Sequence, residues 1–119
     1  MELRKIIEIL DAEILCCGDL ITKDIKAACG SDLLSDVLAF TKSETLLITG
    51  LINRQVIRTA EVADVAAICF VRGKKPDKSL IEEAIRMDIP LLRTEYHMYG
   101  ACGKLFMSGL RNGHEFLED

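Results

Sequence analysis

The sequence predicts an α/β fold, a three-layer α/β/α sandwich built on a mixed, mostly parallel sheet, and three observations predict it. Runs such as Thr45-Leu46-Leu47-Ile48-Thr49 and Ala66-Ala67-Ile68-Cys69-Phe70-Val71 are almost continuously apolar, the pattern of strands buried on both faces. Segments with helical apolar spacing stand between them. Those intervening segments are long enough for right-handed parallel crossovers.

Each element follows in order. Leu3, Ile6, Ile7 and Leu10 recur at helical spacing and open the chain with a helix. Ala12-Glu13-Ile14-Leu15-Cys16-Cys17 then reads as a short strand ending at the turn Gly18-Asp19. Asp24-Ile25-Lys26-Ala27-Ala28-Cys29 is a second strand, too near the first for a crossover helix, so an antiparallel pairing of the two is the expectation. A helix over 31–41, a strand over 45–49, a helix over 53–63 and a strand over 66–71 come next. Pro76-Asp77 starts a helix whose Leu80, Ile81, Ala84 and Ile85 form one apolar stripe. Ile89-Pro90-Leu91-Leu92-Arg93-Thr94 is the last strand, followed by a helix over 95–108. Gly109 stands where a left-handed cap belongs, and Leu110 can fold back onto the helix as the Schellman pattern requires. Residues 1–110 are read as one domain and 111–119 as a flexible tail.

Composition narrows the function classes. The chain has 119 residues, half of them apolar, and a net charge of −4 with its Lys and Arg interspersed among acids. That balance offers no basic field for a nucleic-acid backbone. No apolar stretch approaches the ~20 residues that cross a bilayer, so neither membrane nor nucleic acid is an expected partner and a cytoplasmic location is expected. Five cysteines, with Cys16 and Cys17 adjacent and Cys29, Cys69 and Cys102 isolated, suit reduced thiols rather than a disulfide framework. Paired zinc-ligand spacings are missing and His97 and His114 do not supply them, so no metal and no cofactor is expected.

Chemistry on a parallel sheet collects where strands exit into helices. Four exits qualify: Cys29-Gly30-Ser31-Asp32, Thr49-Gly50, Arg72-Gly73-Lys74-Lys75 and Arg93-Thr94-Glu95. The candidate ligand-binding residues are Gly30, Ser31, Asp32, Asp36, Thr49, Gly50 and Thr94. The same small and hydroxyl residues also make ordinary helix caps, and both readings stand. Ser31 is expected to cap a helix whose first turn holds Asp32, with Asp36 four residues on and on the same side. A small enzyme using Asp32, Asp36 and Cys29 is the alternative. Against it, no nucleophile and base stand in register, and neither G-x-G-x-x-G nor G-x-x-x-x-G-K-[ST] is present.

The segments "CGSDLLSDVLAF", "LLITG", "NRQVIRTAEVADVAAICFVRGKKPD", "IEEAIRMDIPLLRT" and "GKLFMSGL" resemble the DRTGG domain family over about residues 3–110. The most specific part is Asp32-Leu33-Leu34-Ser35-Asp36-Val37. The segment that names the family reads "TKDIKAAC" here, with Ala27 and Ala28 where glycines are expected. The resemblance implies a fold like the N-terminal domain of HPr kinase and of the Mur ligases. It also implies a regulatory module of the kind found beside CBS domains in some pyrophosphatases and within long phosphotransacetylases. Stand-alone copies near iron-only hydrogenase genes point to redox or fermentation metabolism. The expected function is therefore non-catalytic: sensing a small anionic or nucleotide-like ligand, dimerising, and altering a metabolic enzyme partner. A homodimer is also expected because "LLITGLI" carries more apolar length than a small core requires, with residues 50–57 as its contact.

Overall fold

Strand direction determines where everything else lies. The computed structural model describes residues 1–113, in which β1 (Glu13–Cys16), β2 (Ala27–Gly30), β3 (Thr45–Thr49), β4 (Ala67–Phe70), β5 (Leu91–Arg93) and β6 (Arg111–Asn112) form one sheet. The helices are α1 (Leu3–Leu10), α2 (Leu34–Phe40), α3 (Arg54–Val62), α4 (Lys78–Arg86) and α5 (Met98–Met107). The strand order is β1-β5-β4-β3-β2-β6, with β1 antiparallel to β5 and the remaining pairs parallel.

The two faces of the sheet bury separate cores, and the pleat sorts the residues between them. Leu46 and Ile48 of β3, Cys69 of β4 and Leu92 of β5 pack with Leu3, Ile6 and Leu10 of α1 and Ala101 and Leu105 of α5. Leu47, Ile68, Phe70 and Leu91 pack on the other face with Val37 of α2, Val56, Ile57 and Ala60 of α3, and Leu80 and Ala84 of α4. The result is the expected three-layer α/β/α fold. Each fully buried Leu, Ile or Phe contributes ~1.5–3 kcal/mol over an exposed one.

The first two strands do not pair. β1 lies at one edge against β5, whereas β2 sits between β3 and β6. Because β1 is antiparallel to the rest, it ends at the end of the sheet where β2 begins, and no helix is needed to connect them. Residues 17–26 run beneath the sheet instead, tied to the N-terminus by Leu3 N–H to Lys23 O (2.9 Å), Ile25 N–H to Met1 O (2.7 Å) and Lys23 Nζ to Ala66 O (3.0 Å). Four strand spacings of ~4.8 Å are within easy reach of ten extended residues.

The chain end also differs from expectation. Arg111 and Asn112 pair with Ala27 and Ala28, and Gly113 N–H donates to Ala28 O at 2.9 Å, so the segment read as tail begins inside the sheet. The rest of that segment, 114–119, lies outside the described residues. The stop signal of α5 behaves as read. Gly109 takes φ +100°, Leu110 N–H reaches Leu105 O (3.1 Å), and Gly109 N–H reaches Phe106 O (3.0 Å), the full Schellman pattern. Among the described residues no helix is long and apolar enough to cross a membrane.

Candidate functional site

Four parallel strands, β2 to β5, deliver their exits to one end of the sheet. β4 leads into α4 on one face while β5 leads into α5 on the other, so the chain diverges between these two strands, where α/β sheets ordinarily open a ligand crevice. Here that crevice is closed. Arg72 N–H donates to Tyr96 O and Gly73 N–H to Thr94 O, both at 2.8 Å. Arg93 reinforces the closure, with Nε on Gly73 O (2.7 Å) and its guanidinium on Glu13 (3.3 Å) and Glu95 (3.4 Å). The turn needs left-handed backbone at Arg72 (φ +60°) and Gly73 (φ +66°), and a side chain at 73 would collide with the Glu95 carboxylate.

One strand over, at the exit of β3, the arrangement is different. Asp32, arriving from β2, accepts the Thr49 hydroxyl (2.9 Å) and the Gly50 N–H (2.7 Å) on Oδ1. Lys74, arriving from β4, donates Nζ to Gly50 O at 3.0 Å. A side chain at Gly50 would begin 3.0 Å from Nη2 of Arg72 and 3.5 Å from Oδ2 of Asp32. Gly50 is thus the floor of a small corner between the Asp32 carboxylate and the Arg72 guanidinium, with Lys74 bound to its carbonyl. Among the described residues the Arg72 guanidinium has no hydrogen-bond or ion-pair partner, and Oδ2 of Asp32 accepts no hydrogen bond.

The sequence candidates separate on this geometry. Asp32, Thr49 and Gly50 come together. Ser31 adjoins them, but its Oγ accepts the Leu33 N–H at 3.0 Å and caps no helix. The helix expected from residue 31 starts at Leu34, with Leu33 as an N-cap that offers no side-chain bond. Asp32 therefore lies ahead of α2, because its carboxylate is engaged by two donors at the β3 exit. Asp36 stands in the first turn of α2, and its carboxylate makes no hydrogen bond or ion pair among the described residues. Gly30 faces the opposite layer: a side chain there would begin 2.6 Å from Cys102 Sγ and 2.9 Å from Met98 Sδ. Thr94 is buried, its hydroxyl donating to Leu10 O at 2.7 Å and closing the C-terminal end of α1. Arg72 and Lys74 were legible only as a basic strand exit; the sequence signal was the pair of cations flanking Gly73.

Four of the five thiols, all but Cys17, lie in or pack against the cores. Cys29 is buried against α2 and α3 with Thr41 Oγ1 at 3.7 Å, and burial pushes its pKa up. Burial pushes Cys69 up to about 12. Cys17 is likewise pushed up to about 12, first by burial and then by a hydrogen bond with the free thiol of Cys16. Both Cys16 and Cys17 point their sulfurs at Ile89 O, at 3.6 and 3.7 Å. No cluster of three or more His, Cys, Asp or Glu able to hold a metal occurs among the described residues.

A groove of about 810 Å³ lies elsewhere, between α5 and the β2–β6 edge, walled by Ala28, Gly30, Cys102, Phe106 and Arg111 among others. Its lining is mostly apolar, with Lys104 and Arg111 as its charged residues, whereas the Gly50 corner brings an acid and cations together at one strand exit.

Comparison with known proteins agrees with the architecture. The model of the DRTGG domain matches residues 5–106. The crystal structure of the CBS and DRTGG domains of the regulatory region of a Clostridium perfringens pyrophosphatase, complexed with its activator diadenosine tetraphosphate, is similar at a TM-score of 0.69 and 17% identity. The match covers 90% of this chain and 46% of that one, so the chain spans about half the length of that regulatory region. No curated protein sequence matches.

Proposed function

The chain belongs to the DRTGG domain family, and from that premise we propose that it is a non-catalytic regulatory domain that senses a small anionic or nucleotide-like metabolite. The observation that carries the reading is the Gly50 corner, where an uncommitted Arg72 guanidinium and the Lys74 ammonium face a glycine floor. A similar fold in the regulatory region of a nucleotide-activated pyrophosphatase supports a regulatory task. The regulated partner is a metabolic enzyme, which the family resemblance sets in hydrogenase or fermentation metabolism. An enzyme using Asp32, Asp36 and Cys29 finds less support, since Cys29 is held inside the α2–α4 core with a raised pKa. Thermal shift against nucleotides, acyl phosphates and inorganic anions tests the reading. A ligand at a hundred times its Kd adds ~2.7 kcal/mol of stability, and a melting curve unmoved by every anion in the panel would sink it.

We also infer a two-fold homodimer, and assign its contact to α5 rather than to residues 50–57. Of the latter, Val56 and Ile57 are buried and Ile52 is 39% exposed, whereas Tyr99, Phe106 and Met107 of α5 are 92%, 58% and 86% exposed. Lys104 is the one charged residue in α5, and a helix apolar all round is ordinarily covered on both sides. These side chains stand beside the groove, so knob and hole share one patch, as an isologous contact requires. With ~150–250 Å² for each aromatic, two copies bury on the order of 1,000 Å², the lower bound of a specific interface. Light scattering should give twice the chain mass, and Met107→Asp should halve it; a wild-type monomer at every concentration refutes the dimer.

A further inference from the structure

We propose that the Gly50 corner recognises a phosphate ester of a polyol, the shared chemistry of nucleotides and sugar phosphates, rather than a bare anion. The inference rests on the anion-sensing reading above and goes further by using the acid as well as the cations. Gly50 leaves the middle of three adjacent strand exits. Asp32 reaches it from β2 on one side and Arg72 from β4 on the other. Both approach the point where a Gly50 side chain would start, Nη2 at 3.0 Å and Oδ2 at 3.5 Å, yet they form no ion pair with each other. They are too far apart to satisfy one another and near enough for one ligand to touch both.

The two groups ask for different chemistry. A guanidinium presents N–H donors only and fits phosphate oxygens in bidentate fashion. An ionised carboxylate oxygen accepts only, so it repels a phosphate and takes an O–H donor. A ligand satisfying both carries a phosphate and a hydroxyl a few bonds apart, as ribose 5-phosphate and AMP do. Oδ1 of Asp32 is already held by Thr49 and Gly50, which fixes the carboxylate and aims Oδ2 as the ligand-facing acceptor. Lys74 is held on Gly50 O and adds positive charge to the phosphate side. Inorganic phosphate satisfies Arg72 and Lys74 and meets Oδ2 with repulsion. Discrimination follows from that acid.

Calorimetric titration of the full chain with AMP, ribose 5-phosphate, adenosine and inorganic phosphate tests the proposal, together with two variants that keep the local fold. Arg72→Gln keeps an exposed side chain at the same backbone position. Asp32→Asn keeps an oxygen for Thr49 and Gly50 and turns the ligand-facing acceptor into a donor. A charge-assisted bond carries a factor of at least about ten in affinity. AMP or ribose 5-phosphate should therefore bind at least tenfold tighter than both adenosine and inorganic phosphate. Arg72→Gln should weaken the esters and inorganic phosphate alike, while Asp32→Asn should weaken the esters and leave inorganic phosphate unchanged or tighter. If AMP alone gains, the ester is a nucleotide; if both esters gain equally, the sugar phosphate suffices. Inorganic phosphate matching the esters, or esters indifferent to Asp32→Asn, overturns the two-sided recognition while the anion-sensing reading survives. No binding by any anion removes both.

Discussion

Two aspartates near helix starts show how much a single residue's partners decide. Asp77 is the N-cap of α4: its Oδ1 accepts the Leu80 N–H at 2.9 Å and the Ser79 hydroxyl at 3.0 Å, and these bonds hold its pKa below the ordinary 3.8. Asp32 looks the same in sequence and instead joins β2 to the exit of β3. The linkage has a definite sign for Asp77. Its folded pKa lies below the unfolded value, so its contribution is full above pH 3.8 and is lost as pH falls below it. Urea midpoints at neutral pH and at about pH 3 should therefore converge partly in Asp77→Asn relative to the native chain, since Asn does not titrate. The thiols give a second test at this scale. Cys29 and Cys69 are buried with raised pKa values, so pulsed alkylation should label them only as fast as the protein unfolds. Rapid labelling of Cys29 in the native state would return it to the list of nucleophiles.

Among the elements, α2 and α3 differ in how they begin. α3 opens on Asn53, whose side chain accepts the Val56 N–H at 3.3 Å, whereas α2 opens on Leu33 with no side-chain cap. Asn53→Ala should cost ~1 kcal/mol in chemical denaturation. Ser31→Ala should cost less, because its hydroxyl serves the Leu33 N–H in the turn before α2 and no helix end depends on it. Equal losses would mean that the turn matters as much to α2 as a cap does to α3. At the other end of the chain, α5 combines an ordered C-terminal stop with an exposed apolar face, the element least explained by the isolated chain.

The whole molecule is held by two cores sharing one sheet, and the central strands belong to both. Phe70, fully buried in β4, packs with α3 and α4, while its neighbour Cys69 packs on the α1–α5 side. Phe70→Ala should lower stability by ~3–5 kcal/mol through lost contacts and a residual cavity. Near-ultraviolet and far-ultraviolet signals should still be lost together in urea, because the sheet couples the two cores. Separate transitions would show that the layers unfold independently.

The helices and most strands were legible because local patterning decides them. β3 occupies Thr45–Thr49 as its apolar run indicated, α3 lies within the expected 53–63, and the Gly109-Leu110 stop closed α5. DRTGG membership was legible in the Asp32–Val37 block and the strands after it. Tertiary structure alone decided the rest. The direction of β1, set by its pairing with β5, sent residues 17–26 beneath the sheet and β2 to the far side, where β6 could join it. The start of α2 and the make-up of the site depended on which distant donors a carboxylate would meet. Asp32 lies eighteen residues from Gly50, and Arg72 reaches the same glycine because β4 lies beside β3. Periodicity carries which face a residue shows, but strand order determines which residues meet at the end of a sheet, and that order is set by packing between segments far apart in the chain.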